Sequence, residues 1–290
     1  MSSIRNATLL LAGALLACAP GAGSAPDAEP DAAGGPVTLA YAAQRTPLTY
    51  EATDSGSVRM EIPQMGAMDI VFDLSTTSQL ALTRAGDALE GTVTLAQLKG
   101  QMYNPQAGTT AVDNSVLPKD PARFTLSRAG DLVRSSLPEL SRNLREVTTA
   151  TTLFYDQFVR LPHGPVRPGA VWVDTVEVND QMATLSMAQR HEIRSTYAGD
   201  TVVAGRRLAH IVATSAITMR LAGDANGMQI EQRLVGDGKQ SVLWDAARGI
   251  LVERRFENTA SGSMTIAGAG IGDIPVTQRS RSTTRLKEAG

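Results

Sequence analysis

The feature of this sequence that most constrains its fold is the alternation of apolar and polar side chains over long stretches. Val58, Met60 and Ile62 point one way while Arg59 and Glu61 point the other. Met68, Ile70, Phe72 and Leu74 repeat the pattern against Asp69 and Asp73, and Met228, Ile230 and Leu234 repeat it against Gln229, Glu231 and Arg233. A period of two places successive side chains on opposite faces of a strand, one on a core and one in water. Burial on one face only favours antiparallel over parallel sheets, whose strands are covered on both sides. Asp54-Ser55-Gly56, Arg84-Ala85-Gly86-Asp87, Gly199-Asp200, Gly223-Asp224 and Asp237-Gly238 read as turns between the runs. The expected fold class is mainly β (α+β), a curved antiparallel sheet.

One stretch departs from period two. Between Pro138 and Arg160, Leu140, Leu144, Val147, Thr151, Phe154 and Phe158 recur at helical spacing. Ser136 or Ser141 suits its start as a cap, and Pro162 stops it. The expectation is one principal amphipathic helix near 138–160, lying on the sheet, with β-branched threonines working against it. A Pro/Gly connector, Leu161 to Gly169, leads to a strand at Val171-Trp172-Val173. The segments on either side, 38–137 and 169–287, are distantly alike. Phe124 to Val133 reads strand, turn, strand, and so does Val242 to Val252, each with Gly where a hairpin needs positive φ. Duplication and chance likeness between hairpins of one type both fit this pattern.

Residues 1–17 read as a signal peptide, with Arg5 ahead of the short apolar run Ala7–Ala17. The run is about half of the ~20 residues that a membrane-spanning helix requires. It ends Leu15-Leu16-Ala17-Cys18, which resembles the lipobox of bacterial lipoproteins, where the cysteine is acylated and becomes the first mature residue. Cys18 is the chain's only cysteine, so it has no intramolecular disulfide partner and offers no Cys-based zinc site. Residues 18–37 follow as an Ala/Pro/Gly tether with no large apolar side chain before Val37, a composition that cannot offset the entropy of ordering it. The domain proper is expected over 38–290. Ala19 after the cysteine, by resemblance to Gram-negative sorting signals, implies the outer membrane.

Candidate chemistry is sparse. His163, His191 and His210 lack metal-ligand spacing, and His191 and Glu192 fall on opposite strand faces. Asp69 and Asp73 share a face but lie ~13 Å apart along a strand, beyond the reach of a glycosidase pair. Asp174 and Glu177 fall on opposite faces. Asp113-Asn114-Ser115 reads as a loop with Asx-type bonding, without calcium-loop spacing. No Gly-x-Ser-x-Gly elbow occurs. The Gly268–Gly272 loop lacks the βαβ setting of a dinucleotide site and reads as an apolar loop at the sheet rim. Arg279, Arg281 and Arg285 share one face of the last strand. They read as charge protecting a sheet edge, with a strip facing anionic lipid as the alternative. A net charge of −2 supplies no basic field for nucleic acid, and 4% aromatic content leaves few stacking platforms.

Three features together resemble a group of β-rich bacterial envelope lipoproteins without an assigned activity. They are Trp244-Asp245 through Gly249 to Glu253, the connector from Leu161-Pro162 to Gly169-x-x-Trp172, and Val112-Asp113-Asn114-Ser115. That architecture is similar to the LolA/LolB and LppX-type carriers, which curl one antiparallel sheet around helices. The resemblance implies a non-enzymatic envelope protein, without cofactor or metal, that binds an apolar ligand (lipid or lipoprotein) or an envelope partner. The alternatives are an assembly accessory acting by protein contacts alone, and a hydrolase drawing on distant Ser, Asp and His residues. Cys18 is the one residue whose chemistry the sequence assigns, as the lipid anchor to the membrane. Cys18→Ser should therefore move the protein from the membrane fraction to the soluble fraction with its far-UV circular dichroism unchanged. Retention in the membrane fraction would refute the anchor.

Overall fold

The computed structural model describes residues 35–287, apart from 64–65, 107, 156, 183, 226–227 and 268–272. The signal segment, Cys18 and the Gly268–Gly272 loop lie outside the described residues.

The period-two runs are strands, as expected, and most are very long. The first half carries β1 (Leu48–Ile62), β2 (Gly66–Ala85), β3 (Ala88–Asn104), β4 (Gly108–Val112), β5 (Ala122–Leu126) and β6 (Leu132–Ser136). Two short helices follow, α1 (Arg142–Val147) and α2 (Ala150–Tyr155). The second half carries β7 (Val171–Met182), β8 (Leu185–Val203), β9 (Arg206–Ala225), β10 (Met228–Asp245), β11 (Ile250–Ile266) and β12 (Ile274–Lys287). All pairing is antiparallel, in the order β6-β5-β3-β2-β1-β12-β11-β10-β9-β8-β7, with β4 beside β3. Each half is a meander, and β12 pairs with β1. This is the strand order of an up-and-down barrel left open between β6 and β7, a curled half-barrel.

The sheet curls because its inner face is relieved of side chains at chosen points. Gly56, Gly91, Gly100, Gly236, Gly238 and Gly262 all sit within strands at inward positions. Neighbouring side chains lie over several of them. A Cβ on Gly56 would meet the Phe72 ring at 2.5 Å, one on Gly91 the Phe124 ring at 2.2 Å, and one on Gly100 the Leu74 side chain at 2.6 Å. At Gly236 and Gly262 the neighbouring backbone itself comes close, with the Thr259 and Arg233 carbonyls 2.1 and 1.9 Å from an added Cβ. Glycine inside a strand marks such an approach. This corrects the turn readings at Asp54-Ser55-Gly56, Gly199-Asp200, Gly223-Asp224 and Asp237-Gly238, which all lie inside strands. Only Arg84–Asp87 is a turn.

The helical region falls where its spacing places it but is divided. Ser141 caps α1, its Oγ accepting the Leu144 N–H at 3.4 Å. Thr148 then turns extended, and Thr149 Oγ1 accepts the Thr152 N–H, which starts α2 afresh. β-Branched hydroxyl residues cap more readily than they continue a helix, so the Thr pair breaks the run. The Asp180 carboxylate of β7 accepts the Thr151 N–H at 2.8 Å, tying the start of α2 to the sheet. α1 packs against β3, β4 and β7, and so reaches strands on both sides of the open seam.

The last strand is a correction. β12 pairs on both sides, with β1 and β11, and is central where an edge was expected. Its arginines do share the outer face, and two of them meet acidic partners across the ladder: Arg285 reaches Glu253 at 2.8 Å and Arg281 reaches Glu257 at 3.7 Å.

If inward glycines permit the curl, adding one methyl there should be costly. Gly236→Ala and Gly262→Ala should each lower the unfolding free energy by about 1–3 kcal/mol, as overpacking does. Gly164, which has ordinary φ and open space around it, should tolerate Ala with no loss. Urea unfolding midpoints of the three variants make the comparison.

Candidate functional site

The inner face divides into three zones along the strands. At the end where β1 begins, it is filled. Leu39 and Tyr41, on the segment preceding β1, and Leu144, Phe154 and Leu161, from the helical region, pack against Leu82, Leu126, Ile250 and Trp244. The Tyr41 ring meets Trp244 edge-on at 4.7 Å. Its hydroxyl accepts the Val159 N–H at 2.8 Å and donates to the Val159 carbonyl at 3.3 Å. Tyr50 donates to the Leu251 carbonyl at 2.9 Å. These two phenols pin the pre-β1 segment, β1, the post-helix chain and β11 to one another.

The middle of the inner face is polar. Thr76, Ser78, Ser195, Ser215, Arg254, Ser282 and Thr284 are all buried there. Arg254 donates through Nε to Gln240 Oε1 at 2.8 Å and lies 5.2 Å from the Phe256 ring centre. Ser280 donates to Asn258 at 2.8 Å, and Ser78 to Gln157 at 3.2 Å. The hydroxyls of Ser215 and Thr284 have no hydrogen-bond partner among the described residues. On the outer side of the sheet at this level lies an open cavity of about 690 Å³, lined mainly by outward-facing residues such as Ser55, Asp73, Lys239, Glu257, Arg279 and Arg281.

The far end is apolar again. Met60, Leu234, Ala260, Met264, Ile274 and Val276 form a second, smaller core. Val58, Ile62, Met68, Ile70, Met219, Ile230 and Ile266 pack against it and are only partly buried. The alternating residues read from the sequence thus form the inner lining, and in this zone the lining is left partly open.

The outer face has the opposite character. Glu51, Arg59, Asp69, Asp73, Arg190, Glu192, Arg233, Arg255, Glu257, Arg279 and Lys287 are all exposed on it. Ion pairs cross its strands: Arg190 with Glu177 at 3.0 Å, Arg220 with Glu231 at 3.1 Å, Lys287 with Glu51 at 2.7 Å. A transmembrane barrel turns an apolar band outward, and a lipid-facing Arg or Lys costs about 2–4 kcal/mol at mid-bilayer. This sheet is polar outside and apolar inside, so its outer face belongs in water. No helix among the described residues is long and apolar enough to cross a membrane.

The structure does not bring the sequence's catalytic candidates together. His191 faces inward and His210 outward, the latter 3.0 Å from Ser241 Oγ, while His163 is exposed in the connector. Asp69 and Asp73 stand on the solvated outer face, with Arg59 3.3 Å from Asp69. Asp174 faces inward and meets Arg160 at 3.2 Å, and Arg160 also holds Asp131 at 2.6 Å. Asp113 accepts the Ser115 N–H at 2.8 Å, the Asx-type loop expected, and these bonds hold its carboxyl below the usual range. Asn114 accepts the Leu98 N–H at 2.8 Å, fastening that loop to β3. Among the described residues no three His, Cys, Asp or Glu side chains are grouped to hold a metal ion. The polar belt was overlooked in the sequence, although its signal was there: Gln278, Ser280, Ser282 and Thr284 alternate with the arginines, so β12 is polar on both faces.

No family model matches the chain, and no curated protein matches it. Solved structures overlap it distantly. Neisserial surface protein A matches at 6% identity over 82% of this chain and 97% of its own, with a TM-score of 0.23. OccK2 (OpdF) of Pseudomonas aeruginosa matches at 6% over 83% and 98%, with a TM-score of 0.25. A domain from Vibrio parahaemolyticus described as an outer membrane lipoprotein-sorting protein matches at 9% over 83% and 86%, with a TM-score of 0.15. Overlaps of this order do not bear on function.

Burial pushes the phenols of Tyr41 and Tyr50 far above the ordinary tyrosine value. The unfolded chain would release these protons near pH ~10, while the folded chain keeps them. The folded state then binds more protons, so stability is full below that pH and falls as pH rises through it. Urea midpoints should therefore begin to drop near pH ~10 and keep falling above it, and Tyr41→Phe with Tyr50→Phe should flatten the drop.

Proposed function

We propose that this protein is a non-enzymatic bacterial envelope lipoprotein that binds an apolar ligand, a lipid or the acyl chain of a lipoprotein, along the inner face of its half-barrel. One observation carries the reading: Val58, Ile62, Met68, Ile70, Met219, Ile230 and Ile266 line the concave face and remain partly open. A folded domain of this size has enough chain to cover them, yet its helices fill only the opposite end. Apolar surface left in a concavity marks a ligand site more often than a scattered surface residue does. The belt around Asn258, Ser280 and Ser215 supplies hydrogen-bonding groups for the polar end of such a ligand. Lipidation of Cys18 completes the reading, because it would keep the protein within tether reach of a membrane that holds such ligands.

Native mass spectrometry of protein purified from the envelope should show lipid bound to it, and that lipid should displace an apolar fluorescent probe. Met68→Asp and Ile70→Asp should each weaken probe binding about tenfold, the loss expected when one apolar contact is replaced by a charge, with the unfolding midpoint held. Protein that carries no lipid and binds no probe would refute this function.

A further inference from the structure

One element of the sheet is free of its neighbours. β7 pairs with β8 no further than Thr196, opposite Val171, and β10 pairs with β9 no further than Ala209, opposite Trp244. β8 and β9 continue together beyond both limits, through Thr201↔Leu208, Val202↔Arg207 and Val203↔Arg206. The hairpin therefore leaves the sheet as a short two-stranded finger, about 10 Å long at the usual strand rise, with Leu208 still buried at its base. Its root is fastened. Tyr197 is buried and its hydroxyl donates to Asp200 at 2.5 Å, while Arg207 forms an ion pair with Asp200.

The tip of this finger is apolar. Val202 is 70% exposed and Val203 39%, and Ala204 and Gly205 are exposed beside them. The turn itself is of the type with positive φ at both central residues, with φ 50° at Ala204 and 76° at Gly205. Asn or Gly is the usual occupant of the first position. Ala204 is the only non-glycine residue with positive φ among the described residues. A small apolar side chain is thus kept at a strained position in which a polar one would be easier. Arg206 and Arg207 follow directly.

The position of the finger says what it meets. Val37 bridges Val166 at the point where the N-terminal segment joins the domain. Two residues on, Pro168 lies against Gly199 and the Gly169 N–H donates to the Tyr197 carbonyl, at the finger's root. The chain from Cys18 therefore reaches the domain beside the base of the finger. The seventeen Cα-to-Cα steps from Cys18 to Gly35 span at most about 60 Å. An anchor at Cys18 would therefore be joined to the half-barrel at the finger's end.

We infer that the β8–β9 finger is a membrane-contact element: Val202, Val203 and Ala204 enter the bilayer interface to which Cys18 is anchored, with Arg206 and Arg207 at the level of the anionic headgroups. Apolar side chains flanked by basic ones suit that boundary. The inference rests on the lipidation of Cys18, and its test separates the two. The lipidated full chain is reconstituted into vesicles of phosphatidylethanolamine and phosphatidylglycerol, carrying either Val202→Cys or Val235→Cys as its one free thiol, labelled with an environment-sensitive fluorophore. Val235 is 65% exposed on the outer face in the middle of β10 and serves as the control. The chain should float with the vesicles. Quencher on the acyl chains should cut emission at 202 by about half, as interfacial insertion brings the tip to acyl depth, and leave emission at 235 unchanged. A chain that floats with both positions equally quenched, or equally unquenched, overturns the finger and leaves the anchor standing. A chain that does not float overturns the anchor and the finger with it.

Discussion

Space on the concave side of a curled sheet is scarce, and the packing of that side governs the rest of the molecule. As a sheet curls, inward side chains converge and outward ones spread. The chain meets this by placing glycine at inward positions and laying a neighbour's side chain over several of them, as Phe72 does at Gly56 and Phe124 at Gly91. The aromatic ring keeps the buried area that the glycine gives up, so the face stays packed while the backbone bends. Six such glycines lie on strands from both halves, which spreads the bend over the sheet instead of creasing it.

The same crowding explains why the inner face changes character along its length. At the end where β1 begins, the chain brings in its own filling: the segment through Tyr41, the two helices and the aromatic group of Tyr41, Phe124, Tyr155, Phe158 and Trp244. That filling is a rigid cap, because the Tyr41 hydroxyl and the Asp180 carboxylate fasten it to backbone groups and not merely to apolar surface. Below it, buried hydroxyls and Arg254 interrupt the apolar lining. A polar belt placed between two apolar zones keeps them from merging into one collapsed core, since its groups favour hydrogen bonds over close apolar contact. The lower zone is thereby left as a separate, partly open surface.

The alternation of side chains was a sufficient guide to strand identity and to faces. Val58-Met60-Ile62 and Met68-Ile70-Phe72-Leu74 do line one face, and Arg59, Asp69 and Asp73 do stand on the other. Strand length and sheet position were not legible. Gly56, Gly223 and Gly238 look the same in sequence whether they end a strand or relieve a curl, and only the neighbour lying against them decides which. β12 resembled an edge because its arginines would protect one, but charge on an outer face serves a central strand equally well when glutamates stand on adjacent strands, as Glu253 and Glu257 do. The helix was legible in its apolar spacing and illegible in its break. Thr148 and Thr149 carry hydroxyls that can either ride along a helix or cap a new one, and the Asp180 carboxylate, a long-range partner, helps decide for the cap. Of the site, the apolar lining could be read and the belt could not, because a buried serine and an exposed one have the same place in an alternating pattern.

Polarity separates this half-barrel from a barrel that lives in a membrane more sharply than topology does. An up-and-down order closed through β1 and β12 could serve either setting. Here every outward ion pair, such as Lys287 with Glu51 or Arg190 with Glu177, would be stripped of water by hydrocarbon, and the apolar lining would face an aqueous lumen. Among the described residues, Val202 and Val203 at the β8–β9 tip are apolar side chains that project beyond the sheet's pairing with its neighbours. On the proposal of a membrane-contact finger, a domain with this distribution meets a membrane by a point and not by its wall. The tip belongs to the filled end of the half-barrel, so on that proposal the partly open apolar zone of the inner face lies at the other end, turned away from the membrane.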